Sequence, residues 1–325
     1  MTSSRQILGM IRSHAAGDND RFLSIAEEIA GDAERAGKVK VAEELQRLLA
    51  SIRSDSAKGS SRVTPIAKAR GELAGLIRAS YPDDVLADLV LSSSLERQVR
   101  RVVREHRERA SLEARGLQPR RKFLFSGPPG TGKTMTAAAI AGELGLPLFT
   151  ILLDGVITKF MGETASKLRL IFDAMQTTRG VYFFDEVDAL ATRRSSDNDI
   201  GEARRMLNSF LQFLEEENSN AIVIAATNHR TLLDPAIFRR FHGSFLYGEP
   251  SKDEARKVLR NHLLQFDRDS IDWIAVDEAT GHLSHADLAS AAEDAARDAV
   301  LENNGELTAA LLIRALEDRA ALHLH

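Results

Sequence analysis

From Phe123 onward, short apolar runs alternate with longer segments of helix-like spacing. The apolar runs are FLF, LFTILL, VYFF and AIVIAA, and the segments between them include 133–144, 163–176 and 202–216. This alternation predicts an α/β fold, in which a parallel sheet carries helices on both faces. Ligands of such sheets bind at the carboxyl ends of the strands.

Residues 5–53 show a different pattern, in which apolar side chains recur at three- and four-residue steps. The pattern predicts short helices that bury little surface by themselves, so we expect residues 1–53 to form an N-terminal helical docking domain. The next segment, SDSAKGSSRVTP at 54–65, is small, polar and rich in serine. Such a composition is typical of a flexible linker between domains.

The composition is that of an ordinary globular protein, with 43% apolar and 28% charged residues. A formal net charge of −4 gives the chain as a whole no attraction to nucleic acid or anionic membranes. The lack of cysteine excludes disulfides and thiolate chemistry and fits a reducing compartment. Because neither a signal peptide nor an apolar run of membrane-spanning length is present, we expect a cytoplasmic protein with no membrane span.

Arginine is concentrated in residues 97–122, most of which belong to a helix predicted over 94–114. One interpretation is a solvated helix face, because Glu105, Glu108 and Glu113 are interspersed among the arginines. The alternative is a patch that binds nucleic acid or a partner protein. No aromatic residue in the stretch offers a surface for stacking on bases.

The most specific motif is FLFSGPPGTGKT, which lies between an apolar run and a helix-like segment. Gly127, Gly130 and Gly132 permit a tight loop whose backbone N–H groups converge on phosphate oxygens, as in a P-loop. Lys133 is placed to reach the β- and γ-phosphates of a nucleotide, and Thr134 is placed to ligate Mg²⁺. The sequence therefore predicts a nucleotide site on this loop.

An acidic cluster follows the apolar run VYFF, as expected for a magnesium site beside the phosphates. Asp185 is placed to hold the magnesium and its water shell, and Glu186 to polarise an attacking water. Two adjacent carboxylates after a buried strand would be costly without a cation. Asp188 is interpreted more simply, as a helix cap or a surface charge.

Polar residues that could complete such a site follow the last apolar run. Asn228 ends AIVIAATN and could orient a water between Glu186 and the γ-phosphate, or it is a turn residue. Arg239 and Arg240 follow in LLDPAIFRRF, where they could be surface charges. A phosphoryl-transfer site gains from an added arginine, and a neighbouring subunit is its natural source.

At these residues the chain resembles the AAA ATPase family, "ATPases associated with diverse cellular activities", from about Leu89 to about Val300. The resemblance is carried by GPPGTGKT, FFDEVDAL, AATN and LDPAIFRRF. The paired arginines of FRRF resemble the katanin and spastin branch and small bacterial AAA proteins more than members whose two arginines are separated by Pro-Gly. The resemblance implies a five-stranded α/β nucleotide domain at 66–248, a small helical lid at 249–325, and hexameric rings. It also implies that Arg239 and Arg240 act in trans as arginine fingers.

The expected ligands are ATP and Mg²⁺, and Thr134 and Asp185 are the expected metal ligands. The residues expected to contact the nucleotide are Gly127, Pro128, Pro129, Gly130, Thr131, Gly132, Lys133, Thr134, Met135 and Asp185. The expected catalytic residues are Glu186, Asn228, Arg239 and Arg240.

The segment 281–300 resembles the start of the family's lid helix, which lies near the adenine. Ser284, Ala286 and Asp287 match the family pattern, whereas His282 and His285 stand where glycines are common. The two histidines could also suggest a metal pair, although the sequence supplies no third ligand nearby.

Lys159, Phe160, Met161 and Gly162, in the stretch ITKFMGET, resemble the pore loop of AAA rings that translocate protein. An aromatic ring and a flexible thioether in several copies would form an apolar collar that grips chains of any sequence, and Gly162 would let the loop pivot. The alternative is that Phe160 and Met161 fill a gap in the core.

These features favour an ATP-driven motor that remodels or unfolds protein substrates through the pore of a homo-oligomeric ring. A nucleic-acid-dependent ATPase or loader that uses residues 97–122 is one alternative, and a nucleotide-gated assembly scaffold is another. The N-terminal helices would recruit a protein substrate or adaptor. Because no protease motif is apparent, any proteolysis would come from a separate protease.

Overall fold

A computed structural model describes Leu73 and residues 75–157, 161–190, 197–232, 235–268 and 271–322. For residues 161–162, 197–205, 232, 235 and 236 it describes the backbone alone. The predicted docking domain at 1–53 and linker at 54–65 lie outside the described residues.

The described part of the chain contains a six-stranded sheet with the order β1-β3-β4-β5-β2-β6. The strands are β1 (Ile77–Ser80), β2 (Lys122–Ser126), β3 (Leu148–Ile151), β4 (Val181–Phe184), β5 (Ile222–Thr227) and β6 (Gly243–Leu246). β1 pairs antiparallel with β3, and the other neighbours pair in parallel. The carboxyl ends of β2, β4 and β5 therefore meet at one edge of the sheet.

The central strands β2, β4 and β5 are buried along their whole length. This burial on both faces explains why their sequences are continuous apolar runs. Successive side chains still alternate between the faces, since Leu124 and Phe184 belong to one hydrophobic cluster and Phe123, Phe125 and Phe183 to the other.

Helices cover both faces of this sheet. Those on one face are α4 (Leu153–Val156), α5 (Met161–Thr177) and α6 (Asp197–Glu216), and those on the other are α1 (Ser93–Arg107) and α3 (Lys133–Glu143). Two further short helices are α2 (Arg109–Glu113) and α7 (Pro235–Phe238). The α/β fold with helices on both faces is thus confirmed.

The helices after β6 form a hydrophobic cluster of their own. They are α8 (Lys252–His262), α9 (Trp273–Ala279), α10 (His285–Glu302) and α11 (Ala309–Leu322). Buried alanines on one face of α10 let α11 pack closely against it; they are Ala291, Ala292, Ala295 and Ala299. The sequence signal for α10 is its capping box, in which Ser284 Oγ accepts from the backbone N–H of Asp287.

Two details differ from the sequence predictions. The sheet has six strands because β1 adds an antiparallel edge to the five that the resemblance implies. The helix predicted at 94–114 is two helices, α1 and α2, separated at Glu108. None of the helices among the described residues is long and apolar enough to cross a membrane.

Candidate active site

A cavity of about 470 Å³ opens where the carboxyl ends of β2, β4 and β5 face the helices that follow β6. Its volume lies within the range of small-molecule sites. The lining residues from the predicted site are Pro129, Gly130, Thr131, Gly132, Lys133, Thr134, Met135, Asp185, Glu186 and Asn228. Three separate stretches of sequence thus meet at one place, as the strand-end argument predicts.

The predicted phosphate-binding loop, residues 127–132, connects β2 to α3 and is called the phosphate loop below. Its glycines take backbone conformations that other residues adopt with difficulty. Gly127, Gly130 and Gly132 all have positive φ values, of 153°, 73° and 91°. A Cβ at Gly127 would also overlap the backbone carbonyl of Tyr247. Both the positive φ and this overlap therefore exclude a side chain at position 127. Thr131 Oγ1 closes the loop by donating to the carbonyl of Pro128 at 2.8 Å.

Lys133 begins α3 and holds its ammonium group inside this loop. The side chain is buried, and its Nζ donates to the carbonyls of Gly127 at 2.8 Å and Pro128 at 2.7 Å. Burial lowers the pKa of Lys133, while the nearby carboxylates of Asp185, Asp188 and Glu186 raise it. Phosphate oxygens that replaced the two carbonyls would add negative charge and stabilise the ammonium form.

Thr134 and Asp185 are joined directly, since Thr134 Oγ1 donates to Asp185 Oδ2 at 3.2 Å. A hydroxyl and a carboxylate on one edge of a phosphate loop suit Mg²⁺, which binds one or two carboxylates, keeps several waters and takes its other ligands from phosphates. Among the described residues no group of three or more His, Cys, Asp or Glu side chains could hold a metal ion. The pair of oxygens on Thr134 and Asp185 is the candidate magnesium site, because it suits magnesium bound together with a nucleotide.

Glu186 has a left-handed backbone conformation, with φ of 51°. For a residue other than glycine this conformation costs about 1–2 kcal/mol and is often found at functional sites. The turn is held by Glu186 N, which donates to Asp185 Oδ1 at 3.0 Å, and by Ala189 N, which donates to the Glu186 carbonyl at 2.8 Å. The Glu186 side chain is exposed and lines the cavity with Asn228.

Asp188 is not a surface charge, because its side chain is buried and accepts a hydrogen bond from Thr227 Oγ1 at 2.8 Å. The interpretation as a surface charge is therefore wrong, and the reason is that the turn after β4 folds back against β5. Its partner Thr227 immediately precedes Asn228.

Sequence reasoning missed one whole wall of the cavity. That wall comes from the segment before α1 and from the helices that follow β6, and consists of Asp88, Leu89, Val90, Leu91, Val258, Asn261, His262, His285, Ala286 and Ala289. Only the resemblance at 281–300 indicated part of it. Burial lowers the pKa of His285, while Glu254 and the carbonyl of Val90 oppose this effect. His282, in contrast, is exposed and its Nδ1 lies 2.9 Å from Glu249 Oε2.

Arg239 and Arg240 follow α7 and are both exposed. Arg240 forms an ion pair with Glu215 at the end of α6. Arg239 makes no ion pair or hydrogen bond with any residue in the described part of the chain. Neither arginine lines the cavity of its own chain.

The predicted pore loop falls mainly outside the described residues, since Lys159 and Phe160 are not among them. Helix α5 begins at Met161, about two residues before the predicted start near Glu163. The backbone of Met161 and Gly162 therefore lies in the first turn of a helix rather than in a loop.

Five of the nine arginines in the basic stretch form ion pairs with carboxylates in the described part of the chain. The ion pairs are Arg100–Glu96, Arg101–Glu105, Arg107–Glu143, Arg109–Glu113 and Arg120–Glu105. Arg121 instead donates to the backbone carbonyls of Asn218 and Ser219. These pairs reduce the positive charge that a nucleic acid would meet, and they favour the solvated helix face.

Comparison with known proteins finds a matching family and similar relatives. The family described as "ATPase family associated with various cellular activities (AAA)" matches residues 123–248. The AAA family ATPase y4kL of Sinorhizobium fredii, described as uncharacterized, is 32% identical over 306 residues, covering 94% of this chain and 92% of the relative.

A second relative is considerably longer than this chain. ATP-dependent zinc metalloprotease FtsH 4 of Sphaerobacter thermophilus is 34% identical over 235 residues, which are 69% of this chain but 35% of the relative. Among solved structures, the FIGL-1 AAA domain aligns with a TM-score of 0.60 at 20% identity, covering 82% of this chain and 96% of that domain. The structural match shows that the fold is shared.

Proposed function

This chain belongs to the AAA family of ATPases, and we propose that it uses ATP hydrolysis to remodel or unfold protein substrates as a ring-shaped homo-oligomer. Membership of the family makes the chain an ATPase. The observation that supports the proposed site is the single cavity that brings Lys133, Thr134, Asp185, Glu186 and Asn228 together.

Each of these residues has a role that follows from its position. The glycine-lined loop and the ammonium of Lys133 would bind the phosphates, because both present positive electrostatic potential to the same point. Thr134 and Asp185 would hold Mg²⁺, which neutralises charge on the phosphate oxygens when bound. Glu186 would accept the proton of the attacking water, and Asn228 would orient that water.

Charge stabilisation by arginine would come from a neighbouring subunit. Arg239 and Arg240 lie outside the cavity of their own chain, and they are exposed. A site that needs them must be completed by a second copy, so we propose a homo-oligomer with the hexameric form that the resemblance implies.

The moving part would be the segment Lys159, Phe160, Met161 and Gly162, whose last two residues begin α5. An apolar collar built from Phe160 in each subunit could grip unfolded chains without sequence preference. FtsH 4 is by its name both ATP-dependent and a protease, which supports a protein substrate for this chain. Because no protease motif is apparent in the sequence, we propose that any proteolysis depends on a separate protease.

The other parts of the proposal concern the termini and the location. Residues 1–53 would recruit a substrate or adaptor, with 54–65 as a linker, 66–248 as the nucleotide-binding domain and 249–325 as the lid. A cytoplasmic location is supported by the lack of cysteine.

The nucleic-acid alternative is disfavoured by the intramolecular ion pairs of residues 97–122. The scaffold alternative differs from the motor in that nothing is threaded.

The deciding experiment compares ATP hydrolysis with unfolding of a fluorescent protein that carries an unstructured tail. We expect Phe160→Ala to abolish unfolding and to keep basal ATP hydrolysis within about twofold of the parent protein. Phe160→Tyr, which keeps an aromatic ring, should still unfold the substrate. Leu322→Ala, which changes an exposed leucine at the end of α11, is the matched control and should unfold the substrate normally.

Unaltered unfolding by Phe160→Ala would contradict threading through this loop. ATP hydrolysis that rises on addition of DNA, in a salt-dependent way, would instead support the loader. An active protein that hydrolyses ATP but never unfolds the tailed substrate would support the scaffold.

A further inference from the structure

Three of the hydrogen bonds that Thr227 makes connect it to different parts of the active site. Its hydroxyl donates to Asp188 Oδ1 at 2.8 Å and accepts from the backbone N–H of His229 at 3.0 Å. Its carbonyl accepts from the backbone N–H of Gly127 at 3.2 Å. Thr227 is 1% exposed and Asp188 is 8% exposed, so water competes little for these bonds.

The first two bonds leave the Thr227 hydroxyl with a defined orientation. Because a backbone N–H can only donate, the hydroxyl must use a lone pair toward His229 and its proton toward Asp188. Thr227, which carries the hydroxyl, and His229, which carries the N–H, lie on opposite sides of Asn228 along the chain. The backbone that carries Asn228 is therefore folded around a fixed hydroxyl, as in a serine or threonine turn.

Asp188 connects the same hydroxyl to the turn of Glu186. It lies in the short 3₁₀ turn Val187–Leu190, which directly follows Glu186 and its left-handed backbone. The segment is short and hydrogen-bonded, since Ala189 N donates to the Glu186 carbonyl at 2.8 Å. A displacement of Asp188 would therefore be transmitted to Glu186.

The third bond adds the phosphate loop to this arrangement. Gly127 is the first residue of the loop, and its N–H is bound by the carbonyl of Thr227. Thr227 thus joins three elements, which are the loop that would hold the phosphates, the turn of Glu186 and the turn of Asn228. None of these contacts requires Thr227 or Asp188 to touch a nucleotide, and neither residue lines the cavity.

We propose that Thr227 and Asp188 are a positioning pair that fixes Glu186 and Asn228 relative to the phosphate loop during ATP hydrolysis. The inference rests on the roles proposed above for Glu186 and Asn228. It goes beyond them because it assigns the spacing of the catalytic groups to a hydrogen bond outside the cavity. The pair should affect the chemical step more than nucleotide binding, because the loop and Lys133 remain in place when the bond is removed.

The test replaces the hydroxyl without changing the shape of the side chain. Thr227→Val removes the proton donor, and we expect kcat to fall by about 10²-fold while the affinity for ATP changes less than about threefold. Thr227→Ser keeps the hydroxyl and should hydrolyse ATP within about threefold of the parent protein. A kcat loss without an affinity loss is the result that a purely structural role would not give.

The matched control is Thr280→Val. Thr280 is also a buried threonine, and its hydroxyl donates to the carbonyl of Asp277 at 2.8 Å, but it lies in the lid helices away from the cavity. It should lower thermal stability about as much as Thr227→Val does and leave kcat unchanged. Equal kcat losses in the two variants would overturn the inference, because loss of any buried hydroxyl would then suffice.

A double-mutant cycle separates this inference from the proposed catalytic roles. If Thr227 acts through Glu186, then Thr227→Val added to Glu186→Gln should lower kcat little beyond Glu186→Gln alone. An active Glu186→Gln protein would contradict the proposed role of Glu186. An inactive Glu186→Gln protein together with a fully active Thr227→Val protein would overturn the positioning pair alone.

Discussion

The backbone N–H of Ala286 donates a hydrogen bond to the carbonyl of Gly130 at 3.0 Å, which joins the start of helix α10 to the phosphate loop. The contact is close, because a Cβ built on Gly130 would lie 2.5 Å from Ser284 Oγ and 3.2 Å from the Cβ of Ala286. A movement of the phosphate loop on binding phosphates would therefore displace the start of α10 and the helices packed against it.

Gly130→Ala should weaken nucleotide binding by at least about tenfold, which corresponds to about 1.4 kcal/mol. The new Cβ would push α10 away from the loop and would also strain a backbone with φ of 73°. Titration with a fluorescent ATP analogue would measure the affinity.

Gly145→Ala is the matched control for this change. Its φ of 59° is also left-handed, but a Cβ there meets nothing within 4 Å. The strain should therefore lower the free energy of unfolding of both variants by about 1–2 kcal/mol, while the nucleotide affinity falls in Gly130→Ala alone. Equal affinities in the two variants would show that the contact with α10 has no part in binding.

Glu186→Gln should bind ATP normally and hydrolyse it about 10²–10⁴ times more slowly than the parent protein, because an amide cannot accept the proton of water. Affinity should persist because the phosphate loop and Lys133 are unchanged. Single-turnover hydrolysis measures the chemical step directly, and Glu317→Gln, which alters an exposed carboxylate on α11, should be fully active. A Glu186→Gln protein that turns over ATP at the parent rate would require a different base.

The loop residues of the site could be predicted from sequence because each has a local requirement. Gly130 and Gly132 are needed for positive φ, and Lys133 begins the helix that follows the loop. The continuous apolar runs of β2, β4 and β5 likewise report burial on both faces of a parallel sheet.

Features that depend on contacts between distant segments could not be predicted in this way. The burial of Asp188 depends on its bond to Thr227, which is 39 residues away in the chain. Asn261 and His262 end an amphipathic helix, and nothing local indicates that this end faces the cavity. Strand β1 (IRAS) lies at the edge of the sheet and buries only Ile77 fully, so it lacks the continuous apolar run that identifies the central strands.

Stability should fall in mild acid because of His106, which is buried against the carbonyl of Arg120. Burial lowers the pKa of His106. The charges of Arg179 and Arg109 lower it further, while the Arg120 carbonyl and Glu105 raise it. The unfolded chain regains a pKa of about 6.5, so it binds more protons than the folded chain between the lowered value and about 6.5. The stabilising contribution is therefore complete above about pH 6.5 and is lost as the pH falls below it.

His106→Gln should reduce this pH dependence, because glutamine can donate to the same carbonyl but does not titrate. Below about pH 6.5 the parent protein should lose up to about 1.4 kcal/mol of unfolding free energy per pH unit relative to the variant. Denaturant unfolding from about pH 5 to about pH 8 measures the difference, with His282→Gln as an exposed control. Parallel pH profiles for the parent and His106→Gln would assign the acid sensitivity to other groups.

Arg239 and Arg240 should differ in their effect on hydrolysis, because only Arg240 is paired within the described part of its own chain. Arg239 is free to reach a neighbouring subunit, so Arg239→Ala should lower kcat by about 10³-fold or more with little change in ATP affinity. Arg240 must first leave Glu215, and Glu215→Gln should therefore leave hydrolysis unchanged or raise it. Steady-state hydrolysis and nucleotide titration of the separate variants measure both effects.

Mixing experiments then test whether Arg239 acts across a subunit boundary. On the proposed roles, a Lys133→Ala subunit should bind phosphates poorly but carry an intact Arg239, whereas an Arg239→Ala subunit keeps the cavity lining intact. Mixed rings would place some intact cavities beside an intact arginine, so hydrolysis should recover to a level set by the mixing ratio. If Arg239 acted within its own chain, no mixture would regain activity, because every subunit would lack one required group.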